Sequence, residues 1–229
     1  MLNQKISVII PAYNEEKSIG KVVGDISREL VQHVIVVNNN STDQTREVAE
    51  KAGAIVLNET RKGYGWACLM GIDKAYELDT DIIVFLDGDY SDYPDEIIDV
   101  VRPILEENMD LVIGSRVLGK REKGSLTPQQ VFGNWLATRL MRIFYRAKFS
   151  DLGPFRAIKT ESLRKLKMAD KTYGWTIEMQ IKAAKQKMNF CEVPVKYRKR
   201  IGVSKVSGTV KGTVLAGIKI IFTVFKYRF

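Results

Sequence analysis

Short, almost uninterrupted apolar runs alternate with amphipathic segments along the first half of the chain. The runs occupy residues 5–10, 34–37, 55–57, 81–86 and 110–113, and Ile and Val dominate them. Between the runs, apolar residues recur at the spacing of a helix, first over residues 18–30. Strands that are apolar on both faces occur in parallel sheets that helices cover on both sides. The pattern therefore predicts an α/β fold: a single domain with a mostly parallel, Rossmann-like sheet flanked by helices.

The second half of the chain follows a different pattern. A charged, Gly-containing loop at 119–128 is a candidate mobile lid, and an amphipathic basic helix follows at 131–148. The last stretch is apolar with lysines set into it, and it has helical spacing. We predict a domain over residues 1–208 and an apolar, basic C-terminal helix over 209–229.

The charge of the chain is strongly basic and unevenly distributed. The net charge is +9, from 36 Lys and Arg against 27 Asp and Glu, and most of the basic excess lies beyond residue 115. A basic protein attracts anions. No helix-turn-helix, zinc-finger or aromatic RNA-binding motif accompanies the charge, so we predict no nucleic-acid partner. The chain opens without an apolar leader and its two cysteines lie far apart, which favours a reducing, cytoplasmic location.

Polar residues follow three of the predicted strands. They lie at 11–15, 38–43 and 87–93, and the third group is rich in carboxylates. Ligands of open α/β sheets bind beyond the carboxyl ends of the strands. Asp87-Gly88-Asp89 comes directly after an apolar run, so both carboxylates can face one pocket and hold Mg2+ or Mn2+, which take carboxylate oxygens and bridge phosphates. The alternative is an acidic turn that caps the next helix.

Six short motifs together resemble the family-two glycosyltransferases with the A-type fold. Among these, the chain is most similar to the polyprenyl- (dolichyl-) phosphate sugar synthases, and the likeness covers nearly its whole length. The motifs are 8–15 (VIIPAYNE), 36–43 (VVNNNSTD), 85–94 (FLDGDYSDYP), 112–116 (VIGSR), 151–157 (DLGPFRA) and 192–205 (EVPVKYRKRIGVSK). The resemblance implies a nucleotide-sugar-binding half over 1–115 and an acceptor-binding half over 116–208.

The resemblance also assigns a role to individual residues. The residues implied to bind the donor nucleotide are Pro11, Tyr13 and Glu15 at the nucleoside, Val37 and Asn39 at the base, and Asp87, Gly88 and Asp89 at the ribose, metal and diphosphate. Phosphates would meet Arg116, Arg200 and Lys205, which agrees with the preference of anions for Arg and Lys. The residues expected to take part in catalysis are Asp89, Arg116, Glu178 and Arg200.

Two positions depart from the family pattern. Many relatives have two Asp residues where this chain has Asn38 and Asn39. An amide offers one acceptor and one donor, which suits the edge of uracil, whereas a carboxylate suits the adjacent donors of guanine. The sequence therefore favours a UDP-sugar over GDP-mannose. Ser91 stands where dolichyl-phosphate mannose synthases carry a Gln that helps the metal, so Ser91, Asp92 or water would complete the shell.

The acceptor decides whether the reaction needs a general base. A phosphate is already a nucleophile, whereas a hydroxyl must lose a proton. His33 is the sole histidine and precedes a strand at the end opposite the expected site, so a base would be Asp151 or Glu178. Glu178 could equally pair with Lys182, four residues on.

The basic second half favours a phosphorylated lipid as acceptor. The predicted helix 131–148 combines an apolar stripe with Arg139, Arg142 and Arg146. The C-terminal helix could lie in a membrane interface or pack against the core. We therefore expect inverting, metal-dependent transfer of a sugar to a polyprenyl phosphate, by a cytoplasmic enzyme that binds peripherally to the membrane. The alternative is a soluble glycosyltransferase with a hydroxyl acceptor and a carboxylate base.

Overall fold

The computed structural model describes residues 4–203 and 210–228, with the backbone alone at 210–216. Within these residues the chain forms seven strands and eight α-helices. The strands are β1 (Ile6–Ala12), β2 (His33–Asn38), β3 (Ile55–Asn58), β4 (Ile82–Phe85), β5 (Leu111–Ser115), β6 (Arg156–Lys159) and β7 (Phe190–Pro194). The helices are α1 (Ile19–Gly24), α2 (Thr45–Lys51), α3 (Tyr64–Glu77), α4 (Ile97–Glu106), α5 (Pro128–Tyr145), α6 (Thr160–Leu166), α7 (Trp175–Lys185) and α8 (Val210–Lys226).

The strands form one sheet in the order β3-β2-β1-β4-β6-β5-β7. The pairs β1–β2, β1–β4, β2–β3 and β5–β7 are parallel. Strand β6 alone among the described strands runs antiparallel, between β4 and β5. The predicted α/β class with a mostly parallel sheet and a C-terminal helix is therefore confirmed.

Two hydrophobic layers cover the sheet. One layer holds buried side chains of α1, α2 and α4, such as Val22, Ala49 and Val100. The opposite layer holds those of α3, α5, α7 and α8, such as Ala67 and Met141. This arrangement explains the apolar runs, because a strand with a helical layer on each face buries every side chain, as β1 does over its seven residues.

Helix boundaries are where the structure differs most from the sequence-based expectation. The first helix ends at Gly24, although the apolar spacing predicted that it would reach residue 30. Ile26 is nevertheless buried, so a turn and a helix can satisfy the same spacing here. Helix α5 begins at Pro128, where Thr127 and Gln130 form a capping box, and α5 ends before Arg146, which has a left-handed backbone (φ 54°).

Helix α8 packs against the domain through one side. Val224 is fully buried, and its carbonyl accepts a hydrogen bond from the Tyr145 hydroxyl of α5. Ile218 and Phe222 on the other side are each 59% exposed. Across the described part of the chain, no helix has the length and hydrophobicity needed to span a bilayer.

Candidate functional site

The carboxyl ends of β1, β2 and β4 border a cavity of about 310 Å³. These three strands are neighbours in the sheet, so the polar residues that follow them converge. The residues that line the cavity are Pro11, Ala12, Tyr13, Glu15, Asn39, Lys62, Gly63, Tyr64, Ala67, Asp87, Gly88, Asp89, Tyr173 and Arg200. Most of the residues predicted to bind a nucleotide or metal therefore lie together.

Asp87 lines this cavity, and its surroundings oppose the ionisation of its carboxyl group. Its carboxylate accepts a hydrogen bond from the Tyr64 hydroxyl at 3.2 Å. Burial, and next the negative charge of Asp89, raise the pKa of Asp87 to about 7. A carboxylate with such a pKa is poorly compensated, and a bound cation would favour its ionised form.

Asp89 is oriented from two sides. Its Oδ1 accepts the backbone N–H of Ser91 at 2.9 Å and the Ser91 hydroxyl, while its Oδ2 lies 3.1 Å from the Arg200 guanidinium. Ser91 is completely buried, so its hydroxyl fixes the carboxylate. Ser91 thus holds Asp89 in place, a role that differs from the predicted metal contact.

Asp92 adds a third buried carboxylate beside the pair. Neither of its carboxylate oxygens has a hydrogen-bond partner among the described residues. Burial, followed by the charges of Asp87 and Asp89, raises the pKa of Asp92 well above its usual range. Even so, no group of three or more His, Cys, Asp or Glu side chains in the described residues is arranged to hold a metal ion. Protein ligands alone therefore do not form a closed metal cage there, and a metal would take further ligands from a substrate or water.

Arg200 bridges two carboxylates that line the cavity. One guanidinium nitrogen lies 2.8 Å from Glu15, and the other pairs with Asp89 at 3.1 Å. Its buried Nε has no hydrogen-bond partner among the described residues. The side chain therefore has one unpaired N–H donor, and the contact of Arg200 with a phosphate stays a prediction.

Arg198 fastens the segment that carries Arg200, and sequence reasoning missed it. Its guanidinium lies 3.4 Å from the centre of the Tyr90 ring and donates to the carbonyls of Tyr90 and Asp92. In addition, the backbone N–H of Ile201 donates to the Asp89 carbonyl. The segment 198–201 thus lies along the turn that presents Asp89. The sequence features that could have indicated this contact are Tyr90 and Tyr93, which follow the Asp pair, and the basic run at 198–200, because guanidinium groups stack on aromatic rings.

The side chain of Asn39 is already engaged by the protein. Its amide nitrogen donates to the carbonyls of Glu59 and Arg61, and its oxygen accepts the N–H of Gly63. Because both N–H groups are used, a base could bind only to the remaining lone pair of the oxygen. Uracil and guanine both offer a ring N–H there, so Asn39 by itself does not distinguish them.

Three predicted residues with described side chains do not line the cavity. Val37 is fully buried in β2. Arg116 donates to both carboxylate oxygens of Asp151, at 2.7 and 2.8 Å. Burial opposes the ionisation of Asp151, but the Arg116 charge and hydrogen bonds outweigh it and lower the pKa of Asp151. Glu178 is the third. Lys205, the remaining phosphate candidate, lies outside the described residues.

Glu178 lies in α7 and is completely buried. Its carboxylate accepts the backbone N–H groups of Ala169 and Asp170 and the hydroxyl of Tyr227, and it pairs with Lys182. The pairing with Lys182, which the sequence left open, is therefore present. These contacts give Glu178 a structural task, the support of the loop 168–174.

The loop 168–174 forms one wall of the cavity through Tyr173. Its backbone lies against the start of α3 so closely that a Cβ on Gly63 would fall 2.2 Å from the Lys171 carbonyl oxygen. Gly63 also has φ +148°, a conformation that favours glycine. From the other side, Lys219 of α8 pairs with Asp170 at 2.8 Å. The C-terminal helix therefore holds a wall of the cavity.

Comparison with known proteins identifies the family to which this arrangement belongs. The model of glycosyl transferase family 2 matches residues 7–167. The chain belongs to this family. It is therefore a glycosyltransferase that uses a nucleotide-sugar donor, as the sequence resemblance implied.

Relatives of this glycosyltransferase include two with named acceptors. A UDP-N-acetylglucosamine–dolichyl-phosphate N-acetylglucosaminyltransferase of Methanococcus voltae is 32% identical over 219 residues, covering 86% of this chain and 86% of the relative. A dolichyl-phosphate hexose transferase of Haloferax volcanii is 30% identical over 214 residues, covering 92% and 90%.

Solved structures share the fold of the glycosyltransferase. Glucosyl-3-phosphoglycerate synthase of Mycobacterium tuberculosis, in complex with Mn2+, UDP and phosphoglyceric acid, superimposes with a TM-score of 0.79 at 23% identity, over 99% of this chain and 79% of the other. The same enzyme in complex with Mg2+ and UDP gives 0.75 at 24% identity, over 98% and 79%. The A-type glycosyltransferase fold is thus confirmed.

Proposed function

We propose that this glycosyltransferase moves a sugar from a UDP-sugar to a polyprenyl phosphate, with a divalent metal and with inversion at the anomeric carbon. The observation that carries the proposal is the pair Asp87 and Asp89, two carboxylates that line the same cavity, where burial and the charge of Asp89 raise the pKa of Asp87 to about 7. A nucleoside diphosphate is also an anion, so the two can share the site only if a cation lies between them.

The residues present fit Mg2+ or Mn2+. The raised pKa of Asp87 and the unpartnered oxygens of Asp92 show a local excess of negative charge. Asp87 and Asp89 would hold the metal, and the diphosphate would complete its shell. The metal would supply Lewis-acid stabilisation of the charge that develops on the departing UDP. Structural neighbours crystallised with Mn2+ or Mg2+ and UDP support this assignment.

Donor selection is proposed to favour UDP-sugars over GDP-mannose. Support comes from the relative named for UDP-N-acetylglucosamine and from the UDP complexes of the structural neighbours. Pro11, Tyr13 and Glu15 would enclose the nucleoside, and Gly88 would admit the ribose. Asn39 would affect base binding indirectly, because its hydrogen bonds hold the loop 59–63 in place. Val37 would support the base from within β2.

The basic residues are proposed to serve the phosphates. Arg200 would leave Asp89 when the metal binds and turn its guanidinium to the acceptor phosphate, and Lys205 would contribute a further positive charge to phosphate binding. Arg116 is held by Asp151, and its charge favours the ionised form of both Asp87 and Asp92. Its contribution would therefore be electrostatic support of the anionic site rather than direct contact.

The acceptor is proposed to be a polyprenyl phosphate, because two relatives are named for dolichyl phosphate. In this reaction an acceptor phosphate oxygen attacks the anomeric carbon from the face opposite the departing UDP, so the configuration inverts. The oxygen is already ionised, and no side chain has to take a proton. The two carboxylates predicted as possible bases, Asp151 and Glu178, are both bound within the protein. Such an enzyme would work peripherally at the cytoplasmic face of a membrane.

The direct test is transfer of a radiolabelled sugar from UDP- and GDP-sugars to polyprenyl phosphate, with Mn2+ and with excess chelator. We expect a product only with lipid phosphate, UDP-sugar and free metal. Transfer to hydroxyl acceptors alone would favour the soluble alternative with a carboxylate base. Full turnover in chelator would contradict the metal role.

A further inference from the structure

Helices α5 and α8 together expose apolar side chains to solvent. On α5, Phe132, Trp135 and Ile143 are 60%, 57% and 60% exposed. On α8, Ile218 and Phe222 are each 59% exposed. Three aromatic and two aliphatic side chains facing solvent from adjacent helices exceed the scattered apolar exposure of an ordinary surface.

Both helices place these side chains in stripes. The α5 stripe runs 132, 135, 139, 142, 143 and, just beyond the helix, 146; its apolar members are Phe132, Trp135 and Ile143. The α8 stripe runs 218, 222, 225, and both follow the three- and four-residue spacing of one helix face. Between the helices lies a cavity of about 520 Å³, lined by Phe132, Leu136, Ala137, Gly217, Ile220 and Ile221 among others. The apolar part of the surface therefore extends from α5 to α8.

The charge of this surface has a single sign. Residues 123–150 and 193–229 contain no Asp or Glu. Arg139, Arg142 and Arg146 are exposed within the α5 stripe, and Lys226 and Arg228 are exposed at the end of α8. An apolar face bordered by basic groups, with a Trp and Phe residues on it, matches the boundary between acyl chains and anionic headgroups.

We propose that the α5–α8 face docks on a lipid bilayer that contains anionic lipids, with the aromatic side chains inserted and the arginines at the headgroups. The inference rests on the proposed function, which supplies the reason for a transferase to lie at a bilayer. The inner side of α5 contacts the segment that carries Asp151, the partner of Arg116: Asn134 donates to the Ser150 carbonyl and accepts the Leu152 N–H. Docking by the outer side would thus place the bilayer beside the helix that contacts the Arg116–Asp151 pair.

The test uses the full chain without donor, metal or polyprenyl phosphate. Vesicles of phosphatidylcholine alone, and of equal parts phosphatidylcholine and phosphatidylglycerol, are floated on a density gradient with the protein. We expect flotation with the anionic vesicles and loss of it at high salt. Brominated lipids should quench the fluorescence of the wild type, and much less that of Trp135→Phe.

Two variants and one matched control locate the surface. Phe132→Ser with Phe222→Ser should weaken vesicle binding about tenfold or more, and Arg142→Glu about fivefold or more. Lys51→Glu makes the same charge change on α2, on the opposite layer of the sheet, and should bind as the wild type does. Unchanged melting temperature and UDP binding confirm that each variant is folded.

Three results would overturn the proposal: no flotation of the wild type, equal loss in Lys51→Glu, or a dimer in light scattering that the Phe132→Ser, Phe222→Ser variant abolishes. The last would make the face an interface between copies of the chain. The acceptor proposal fails separately, since a protein that floats but transfers no sugar to polyprenyl phosphate keeps the docking surface and loses the proposed reaction.

Discussion

Arg200 and Asp89 form an ion pair of 3.1 Å across the mouth of the cavity, joining the segment after β7 to the turn after β4. The guanidinium supplies positive charge at the carboxylate that is proposed to bind a metal. Metal and Arg200 would therefore compete for Asp89, and loading the site would free Arg200 for a phosphate. This exchange links the binding of the donor to the release of a basic side chain.

The metal assignment predicts a clear effect of Asp89→Ala. Transfer should disappear, because the metal then loses a ligand and the charge on departing UDP loses its stabilisation. The added thermal stability that Mn2+ gives in the presence of UDP should disappear as well, as differential scanning fluorimetry would show. Asp95→Ala removes an exposed carboxylate in the short 3-10 helix Pro94–Glu96 that precedes α4; it is the control and should behave as the wild type. A fully active Asp89→Ala enzyme would refute the assignment.

Arg200→Ala should separate binding from turnover. Mn2+ and UDP binding should persist, because the variant removes a competitor of the metal, while turnover with lipid phosphate should fall about a hundredfold. Calorimetry and steady-state rates measure the two effects. Lys199→Ala removes the exposed neighbouring charge and should change neither. Normal turnover in Arg200→Ala would exclude a phosphate role for this residue.

Nucleotide preference is the third prediction. UDP should bind at least tenfold more tightly than GDP, about 1.4 kcal/mol, in calorimetry with Mn2+. Asn39→Asp would set a carboxylate against the carbonyls of Glu59 and Arg61. It should therefore lower the free energy of unfolding by about 1–3 kcal/mol and weaken the binding of both UDP and GDP. A wild-type preference for GDP would contradict the donor assignment. Selective gain of GDP binding in Asn39→Asp would show that the side chain reads the base directly.

Glu178→Gln should reduce stability more than chemistry. The change weakens a buried ion pair with Lys182 and the contacts to the loop 168–174, so we expect a loss of about 3 kcal/mol in the free energy of unfolding. Turnover of the folded enzyme with lipid phosphate should remain substantial when it is measured at urea concentrations below the unfolding transition. Glu77→Gln, on an exposed part of α3, is the control. Complete loss of turnover with normal stability and donor binding would instead indicate a general base.

The sequence predicted the frame of the site because strand ends in a parallel sheet are predictable. Asp87, Asp89 and Glu15 follow apolar runs, and the rule that ligands bind beyond the carboxyl ends brings them together. The sequence could not predict that β6 runs antiparallel to its neighbours, because the apolar pattern at 155–158 is the same for a parallel and an antiparallel strand. The extent of α1 was also wrong, because buried turns imitate helical spacing.

Residue roles that depend on distant partners were beyond the sequence. Glu178 is 49 positions from Tyr227, which donates to it. The amide of Asn39 is taken by backbone groups about two dozen positions away. In each case residue type indicated a capacity to bind, and tertiary packing determined what is bound.

The contacts from Lys219 to Asp170 and from Tyr227 to Glu178 make α8 and the residue that follows it part of the support of the cavity beyond the strand ends. A donor that orders the wall at Tyr173 should then also stabilise the docking of α8 on the domain. By thermodynamic linkage the reverse must hold, so docking of α8 should strengthen donor binding. A bound UDP-sugar should slow the exchange of α8 backbone amides with deuterium, although no α8 residue with a described side chain lines the cavity. Conversely, whatever steadies α8 should lengthen the time that a donor stays bound.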